Sequence, residues 1–338
     1  VRPLIQSVRE FIRERVVPVD AEFLHEVEKG DRWTLTNRQQ EILDDLKSAA
    51  REQGLWNFWL TDSDRGYGLN TVEYAYLAEK TGRSHLAAEA FNCSAPDTGN
   101  MEVLERYATD LQKKQWLEPL LDGKIRSAFA MTEPDVASSD ATNISTSAVL
   151  KNGEWVINGE KSYISGAGDP RCKILIVMVR TSPENPRHQQ HSQILVPMDT
   201  PGVEIVRPLK VFSLDDVPHG HMHMKFIDVR VPEENIILGP GRGFEISQGR
   251  LGPGRVHHCM RAVGMAEKAL ELMCRRSISR TAFGRPLAKL GGNYDRIADA
   301  RMNIDMARLL TLKTAWVIDT RGVEEAHLWI SKIKAVVP

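Results

Sequence analysis

Residues 129–140 read Phe-Ala-Met-Thr-Glu-Pro-Asp-Val-Ala-Ser-Ser-Asp, at the point where the chain changes from helical to strand-like sequence. This segment places hydroxyls, carboxylates and a turn-forming proline within a dozen residues. A second segment of similar character, residues 163–168, reads Tyr-Ile-Ser-Gly-Ala-Gly. A flat cofactor with a polar edge needs an aromatic or apolar face, and donors fixed near its heteroatoms. The two segments therefore predict a cofactor site.

The sequence before these segments predicts helices. Apolar residues at helical spacing begin at Leu4 and are expected to stop at Pro18, because proline breaks a helix interior. Thr36 is expected to cap a second helix, and either Asn70 or Thr71 a third. A further helix is expected over residues 100–121.

Between about residues 127 and 232, short β-branched runs alternate with turn residues, which predicts a small all-β domain. Asn152-Gly153 suits a type I′ hairpin turn. Residues 181–190, rich in Pro, Asn and Arg, predict a surface loop.

Helical sequence returns near Gly243, with long helices expected over residues 244–282, 294–320 and 323–337. The predicted fold class is mixed α and β in separate domains. The expected domains are an N-terminal helical domain (1–125), a middle β-barrel or β-sandwich domain (126–236) and an incomplete C-terminal helical bundle (237–338).

Four blocks in a fixed order carry a family resemblance: residues 129–144, 157–174, 242–259 and 280–286. Together they resemble the acyl-CoA dehydrogenase family, and most closely the dehydrogenase portion of its members 10 and 11. The resemblance runs from about Leu46 to the end of the chain, and several motifs in the family's order make it specific. It implies the helical, β, helical fold of that family.

The resemblance implies an FAD-dependent enzyme of fatty acid β-oxidation and lipid metabolism that converts an acyl-CoA to the trans-2-enoyl-CoA. A carboxylate removes the α-proton, while the β-hydrogen leaves as hydride to flavin N5. Electrons would then pass to an electron-transfer flavoprotein. Two other functions remain open: an acyl-CoA or nitroalkane oxidase on the same scaffold, and a catalytically inactive or AidB-like flavin-binding relative.

The resemblance also implies the residues that hold the cofactor. Thr132 would meet the pyrimidine edge of the flavin, Ser165 would hydrogen-bond N5, and Tyr163 would cover the ring where most relatives carry tryptophan. The full expected FAD set is Phe129, Met131, Thr132, Ser138, Ser139, Tyr163, Ile164, Ser165, Arg280 and Phe283.

Two features of this set qualify the expectation. One residue more than usual separates Glu133 from Asp140, so the sequence leaves open which of the two serines does which task. In relatives, Arg280 and Phe283 reach the FAD of a neighbouring subunit, which implies a homodimer or homotetramer.

Without the resemblance, simpler interpretations hold. Thr132, Ser138 and Ser139 would be turn hydroxyls that satisfy nearby backbone groups. Arg280 would favour the dipole at a helix C-terminus, and Gly284 would end the turn.

The implied acyl-CoA contacts are Ser139, Gly252, Pro253, Gly254 and Arg255. No G-x-G-x-x-G turn or G-K-[ST] motif supports a Rossmann or P-loop site here. Some relatives carry their catalytic glutamate at the position of Gly254. We therefore expect the general base to lie beyond Pro338, and the chain to be a fragment.

Composition limits the other possibilities. The 338 residues carry a formal net charge of −1, which gives no electrostatic footprint for nucleic acid, and no apolar run predicts stable membrane insertion. The cysteines have no metal-binding spacing, and His219, His221 and His223 are interpreted as surface residues instead of a metal site. The expected compartment is cytoplasmic in a bacterium, and mitochondrial or peroxisomal in a eukaryote.

Overall fold

The computed structural model describes residues 1–60 and 65–338, except for the side chains of residues 250–253. The chain divides into two compact units. The first comprises Val1–Ala21, Leu43–Cys93 and Gly252–Pro338, and the second comprises Glu22–Ile42 and Ser94–Leu251. The boundaries predicted at residues 125 and 236 stay a prediction.

The helices fall before and after a block of strands, as predicted. In chain order they are α1 (Arg2–Phe11), α2 (Val17–Glu26), α3 (Asn37–Glu52), α4 (Thr71–Thr81), α5 (Ala87–Ala90), α6 (Asp97–Tyr107), α7 (Asp110–Gln112), α8 (Glu118–Leu121), α9 (Gly243–Ser279) and α10 (Asn293–Val336). None of the helices in the described ranges has an apolar stretch long enough to cross a bilayer.

Two predicted helix starts are confirmed by reciprocal caps. The Thr36 hydroxyl accepts from the Gln39 amide (3.2 Å), and the Gln39 side chain accepts from the Thr36 amide (3.0 Å). Asn70 makes the same exchange with Glu73, at 2.9 and 3.1 Å, so Asn70 and not Thr71 caps α4.

The prediction that Pro18 ends the first helix is wrong. A π-helical turn, Ile12–Val16, joins α1 to α2, and Pro18 lies in the first turn after it. Because the π turn shifts the hydrogen-bond register by one residue, the missing N–H of the proline is tolerated there. The single helix expected over 100–121 is also interrupted, since Thr109 caps a new helix with Gln112.

The strands are β1 (Arg126–Ala130), β2 (Ser147–Lys151), β3 (Glu154–Ser165), β4 (Cys172–Arg180), β5 (His191–Pro197), β6 (Val203–Leu209) and β7 (His221–Pro232). In the described chain they form one curled sheet in the order β1-β4-β2-β3-β7-β6, with β5 paired to β4. Asn152 and Gly153 join β2 to β3 with φ of 55° and 80°, which confirms the predicted type I′ turn.

The inward face of this sheet carries the core of the β region. Its buried members alternate along the strands and include Ile157, Leu175, Val177 and Phe226. Trp33, from the 22–42 segment of the same unit, packs against this core.

The C-terminal helices follow the prediction closely. α9 ends at Ser279, three residues earlier than expected, because a small hairpin begins there: β8 (Thr281–Ala282) pairs with β9 (Arg285–Pro286). Gly322 interrupts α10 with φ 84° and ψ 167°, which confirms the predicted break between two helices.

α4 and α9 come into very close contact at two glycines. A Cβ atom added at Gly82 would overlap the Arg261 carbonyl, and one added at Gly264 would overlap the Glu79 carbonyl. Only glycine allows the two backbones to approach this closely.

Candidate functional site

The two segments that the sequence singled out lie side by side. The Thr132 carbonyl accepts from the Ser162 amide at 2.8 Å, and the Thr132 hydroxyl donates to the Ser162 carbonyl at 2.5 Å. The chain after β1 is therefore tied to the end of β3. The hydroxyl of Thr132 uses its only hydrogen in this contact, so its lone pairs remain available as acceptors.

A buried lysine holds together the segment after β1 and the end of β3. The Lys161 side chain is fully buried, and its ammonium donates to the Met131 carbonyl (2.9 Å), the Met178 carbonyl (2.7 Å) and the Glu133 carboxylate (2.9 Å). Three donors thus meet three acceptors. Burial lowers the pKa of Lys161 to about 8, against the opposing effect of Glu133, which leaves the group protonated at neutral pH.

Glu133 is fully engaged in holding the loop. Its carboxylate also accepts from the Ser145 amide (2.8 Å) and hydroxyl (2.7 Å), and from the Thr146 amide (2.9 Å). Burial alone would raise the pKa of Glu133, but the Lys161 ammonium and these hydrogen bonds outweigh it and lower the pKa to about 2. A carboxylate this acidic is unsuited to act as a general base near neutral pH.

The two adjacent serines differ in their surroundings. Ser138 is buried, and its hydroxyl accepts from the Glu133 amide at 2.7 Å. Ser139 is exposed. Ser138 therefore closes the turn, whereas Ser139 is open to solvent.

Tyr163 is strained and exposed. Its backbone has φ 56°, in the left-handed region, and it lies in a register irregularity of β3 against β7 between Lys161 and Ile164. Ile164 points into the core, while 54% of Tyr163 is exposed. A bulky residue held in the left-handed region costs about 1–2 kcal/mol, and such strain clusters at functional sites.

Ser165 is held by the start of β7. Its hydroxyl lies 2.9 Å from His221 Nδ1, and the two residues are cross-strand partners. The following turn is tied to the same strand region, since the Gly166 amide donates to the Gly220 carbonyl at 3.0 Å.

The three histidines of the 219–223 segment have separate partners. His219 contacts Asp169 at 2.8 Å, and His223 contacts Glu160 at 2.8 Å. β7 begins at His221, so His221 and His223 lie on the strand and His219 lies before it. No group of three metal-ligating side chains occurs in the part of the chain that the structure describes.

The remaining predicted site residues are placed as follows. Phe129 and Met131 are half-buried, at and just after the end of β1. Gly254 and Arg255 lie on α9, where a Cβ atom added at Gly254 would meet open space. Gly252 and Pro253 lie outside the residues whose side chains are described.

Arg280 and Phe283 belong to the hairpin that follows α9, in the other compact unit. Arg280 is exposed. Phe283 and Gly284 form the two-residue turn with φ of 52° and 74°, and 94% of Phe283 is exposed. Gly284 is the second residue of this turn, in agreement with the simpler interpretation that it ends the turn.

Sequence reasoning missed two features of the strand unit. One is Lys161, which is followed by the predicted site segment. The other is a cavity of about 380 Å³ lined by Asn185, His188, Gln189, Pro240, Gly241, Arg242, Phe244 and Glu245. Within it the rings of His188 and Phe244 are stacked, with centroids 4.5 Å apart.

Family models match the chain in three consecutive parts. The acyl-CoA dehydrogenase N-terminal domain matches residues 2–124, the middle domain 128–227 and the C-terminal domain 241–337. The chain belongs to the acyl-CoA dehydrogenase family. This is a family of oxidoreductases and flavoproteins.

Individual relatives agree with this membership. Mouse acyl-CoA dehydrogenase family member 10 is 54% identical over the whole chain, which spans 32% of that protein. Probable acyl-CoA dehydrogenase FadE2 of Mycobacterium tuberculosis is 56% identical over 88% of this chain and 72% of its own length. A solved Mycobacterium abscessus structure, assigned to the acyl-CoA dehydrogenases, is 52% identical with a TM-score of 0.95, over the whole chain and 84% of its own.

The predicted resemblance and fold class are thereby confirmed. The chain spans about a third of the length of the family member 10 relative that it matches.

Proposed function

We propose that this chain is the dehydrogenase portion of an FAD-dependent acyl-CoA dehydrogenase that forms the trans-2-enoyl-CoA. The observation that supports this most strongly is Tyr163. The Tyr163 ring is exposed on a strained backbone. The preceding residue, Ser162, is hydrogen-bonded to Thr132. A ring placed in this way is suited to cover a flat cofactor.

The residues of the strand unit fit a flavin. Thr132 offers lone pairs to the N3–H of the pyrimidine edge, because its own hydrogen is used by Ser162. Ser165, whose hydroxyl contacts His221, would hydrogen-bond N5, and exposed Ser139 is the serine suited to FAD and to acyl-CoA. FAD, when bound, supplies the acceptor for the hydride.

The hairpin residues complete the proposed FAD set. An arginine binds pyrophosphate through charge-assisted hydrogen bonds, which suits Arg280. Phe283 is almost entirely exposed and needs an apolar partner. We assign both to the FAD of a neighbouring subunit, in a homodimer or homotetramer.

The proposed acyl-CoA contacts on α9 are Gly254 and Arg255. Glu133 is not proposed as the general base, since its ion pair with Lys161 makes it unsuited to the task. Electrons are proposed to leave for an electron-transfer flavoprotein.

The test is anaerobic titration of the FAD-reconstituted full-length protein with acyl-CoA esters of increasing chain length. We expect loss of the visible flavin absorbance, followed by its return when an electron-transfer flavoprotein is added. A protein without visible absorbance after reconstitution would contradict the proposal. Bleaching that is reversed by air with formation of hydrogen peroxide would indicate an oxidase instead.

A further inference from the structure

The contact between Ser165 and His221 indicates a role for this histidine that does not follow from family membership. We propose that His221 is a positioning residue that holds the Ser165 hydroxyl as a hydrogen-bond acceptor toward the bound cofactor. The inference rests on the proposed function, in which Ser165 faces flavin N5. It starts from the 2.9 Å separation between Ser165 Oγ and His221 Nδ1.

The imidazole is fixed in place by the sheet. His221 is paired with Ser165 of β3 on one side and with Leu209 of β6 on the other. Its side chain is 23% exposed, so its orientation is restricted by its neighbours. The Gly220 amide just before it donates to the Asp216 carbonyl at 2.8 Å, which closes the loop carrying Asp216.

Asp216 selects the tautomer. Its carboxylate lies 3.7 Å from His221 Nε2, too far for a good hydrogen bond but close enough for electrostatic attraction. A negative charge on that side favours the hydrogen on Nε2. In neutral imidazole this leaves Nδ1 as an acceptor, so Nδ1 takes the hydrogen of the Ser165 hydroxyl.

The consequence follows from the number of hydrogens. A serine hydroxyl has one hydrogen and two lone pairs, so a hydroxyl that donates to His221 can only accept from a further partner. A flavin carries a hydrogen on N5 in the reduced state and none in the oxidised state. Ser165 held in this way therefore favours the reduced state and raises the midpoint potential of the bound cofactor.

Two amide variants separate this role from a purely structural one. In His221→Asn the amide oxygen occupies about the position of Nδ1 and can still accept from Ser165. In His221→Gln the amide lies near the position of Nε2 and cannot replace Nδ1. His223→Leu is the matched control, because His223 lies two residues along the same strand and contacts Glu160.

The midpoint potential is measured by equilibration of the FAD-bound protein with a reference dye. His221→Gln and His221→Leu are expected to shift the oxidised-to-reduced ratio about fivefold toward oxidised, the usual effect of one hydrogen bond. That is about 20 mV for a two-electron couple. His221→Asn and His223→Leu should match the wild-type protein.

A second measurement separates this inference from the proposed function. In a Ser165→Ala background, His221→Gln should give no further shift. If the wild-type protein binds FAD and is bleached by acyl-CoA, yet the Gln and Asn variants have equal potentials, the positioning role is overturned. If the wild-type protein holds no flavin, the proposed function itself fails.

Discussion

Tyr163 has a left-handed backbone conformation and a half-exposed aromatic ring, and neither feature stabilises the fold. Because strained residues cluster at ligand sites, this combination beside Thr132 favours a cofactor contact for Tyr163. Residue identity, the neighbouring glycines and the family resemblance predicted a site here from the sequence, and this stays a prediction. The strain was not predictable, because it arises from the pairing of β3 with β7.

Tyr163→Asn separates stability from cofactor binding. Asparagine tolerates the left-handed region, so the free energy of unfolding of the FAD-free protein should rise by about 1 kcal/mol. FAD affinity should fall roughly tenfold through loss of the aromatic contact. Chemical denaturation and flavin fluorescence measure the two effects.

Phe212→Asn is the control for strain alone. Phe212 also has positive φ, at 50°, and is 97% exposed in a turn of the strand unit. It should gain similar stability with unchanged FAD affinity. Equal loss of FAD affinity in the two variants would remove Tyr163 from the site.

Lys161 was missed because a lysine within a strand is usually a solvent-exposed residue. Its partner Glu133 lies 28 residues earlier, and no local pattern connects the two. The pair becomes visible only when β3 and the end of β1 are brought together.

Glu133→Gln tests this pair through acid sensitivity. The folded pKa of Glu133 is about 2, below its ordinary value of 4.5, so its contribution to stability is complete above pH 4.5 and is lost as the pH falls toward 2. The variant should lose about 3–5 kcal/mol of unfolding free energy at pH 7, because the buried Lys161 charge is left unpaired. The difference from wild type should shrink below pH 4.5.

Urea denaturation from pH 3 to pH 7 provides the measurement. Glu204→Gln, at an exposed position of β6, is the control and should behave as wild type throughout. A constant difference between Glu133→Gln and wild type at every pH would contradict the ionised pair.

Among the helices, local signals succeeded where a side chain satisfies the backbone directly. Asn70 and Thr36 cap as predicted, and Gly322 separates two helices as predicted. The prediction that Pro18 ends a helix was wrong because the preceding π turn, which changes the hydrogen-bond register, has no clear sequence signature.

The Ser165–His221 contact was not predictable from the sequence either, since it depends on the register of strands whose paired residues are 56 positions apart.

Gly254→Glu tests the proposed place of α9 in acyl-CoA binding. A Cβ atom at position 254 would meet open space, and replacement of a helical glycine stabilises a helix by up to about 1 kcal/mol, so the fold should remain intact. The new carboxylate should accelerate flavin bleaching by acyl-CoA. Stopped-flow absorbance under anaerobic conditions measures the rate.

Two controls accompany this variant. Gly254→Gln keeps the size without the base and should not accelerate bleaching. Gly264→Glu, on the same helix, should unfold the protein, because its side chain would overlap the Glu79 backbone. Equal rates for the Glu and Gln variants at position 254 would argue against a substrate near this turn of the helix.

For the whole molecule, the order of helical, β and helical regions was predictable from the change in sequence periodicity alone. The grouping of Glu22–Ile42 with the strands was not, because Trp33 packs on a core whose residues, from Ala128 onward, lie far along the chain. Because the net charge is only −1, binding depends on specific charged pairs and not on an overall electrostatic field.

Arg280→Ala tests the assembly. If Arg280 binds the FAD of a neighbouring subunit, the variant should lose FAD on gel filtration, and more strongly at low protein concentration. Arg276→Ala, one turn earlier on α9 and also exposed, should retain its FAD. Unchanged FAD retention in Arg280→Ala at all concentrations would count against the shared site.

The crossing of α4 and α9 restricts how sequences of this family can diverge. Gly82 and Gly264 each lie against the backbone of the other helix, so a mutation at one cannot be rescued by a smaller residue at the other. Across natural variants both positions should therefore remain glycine. A Cβ atom at Gly254, ten residues before Gly264, meets no such neighbour, so this position can accept a side chain with a chemical function.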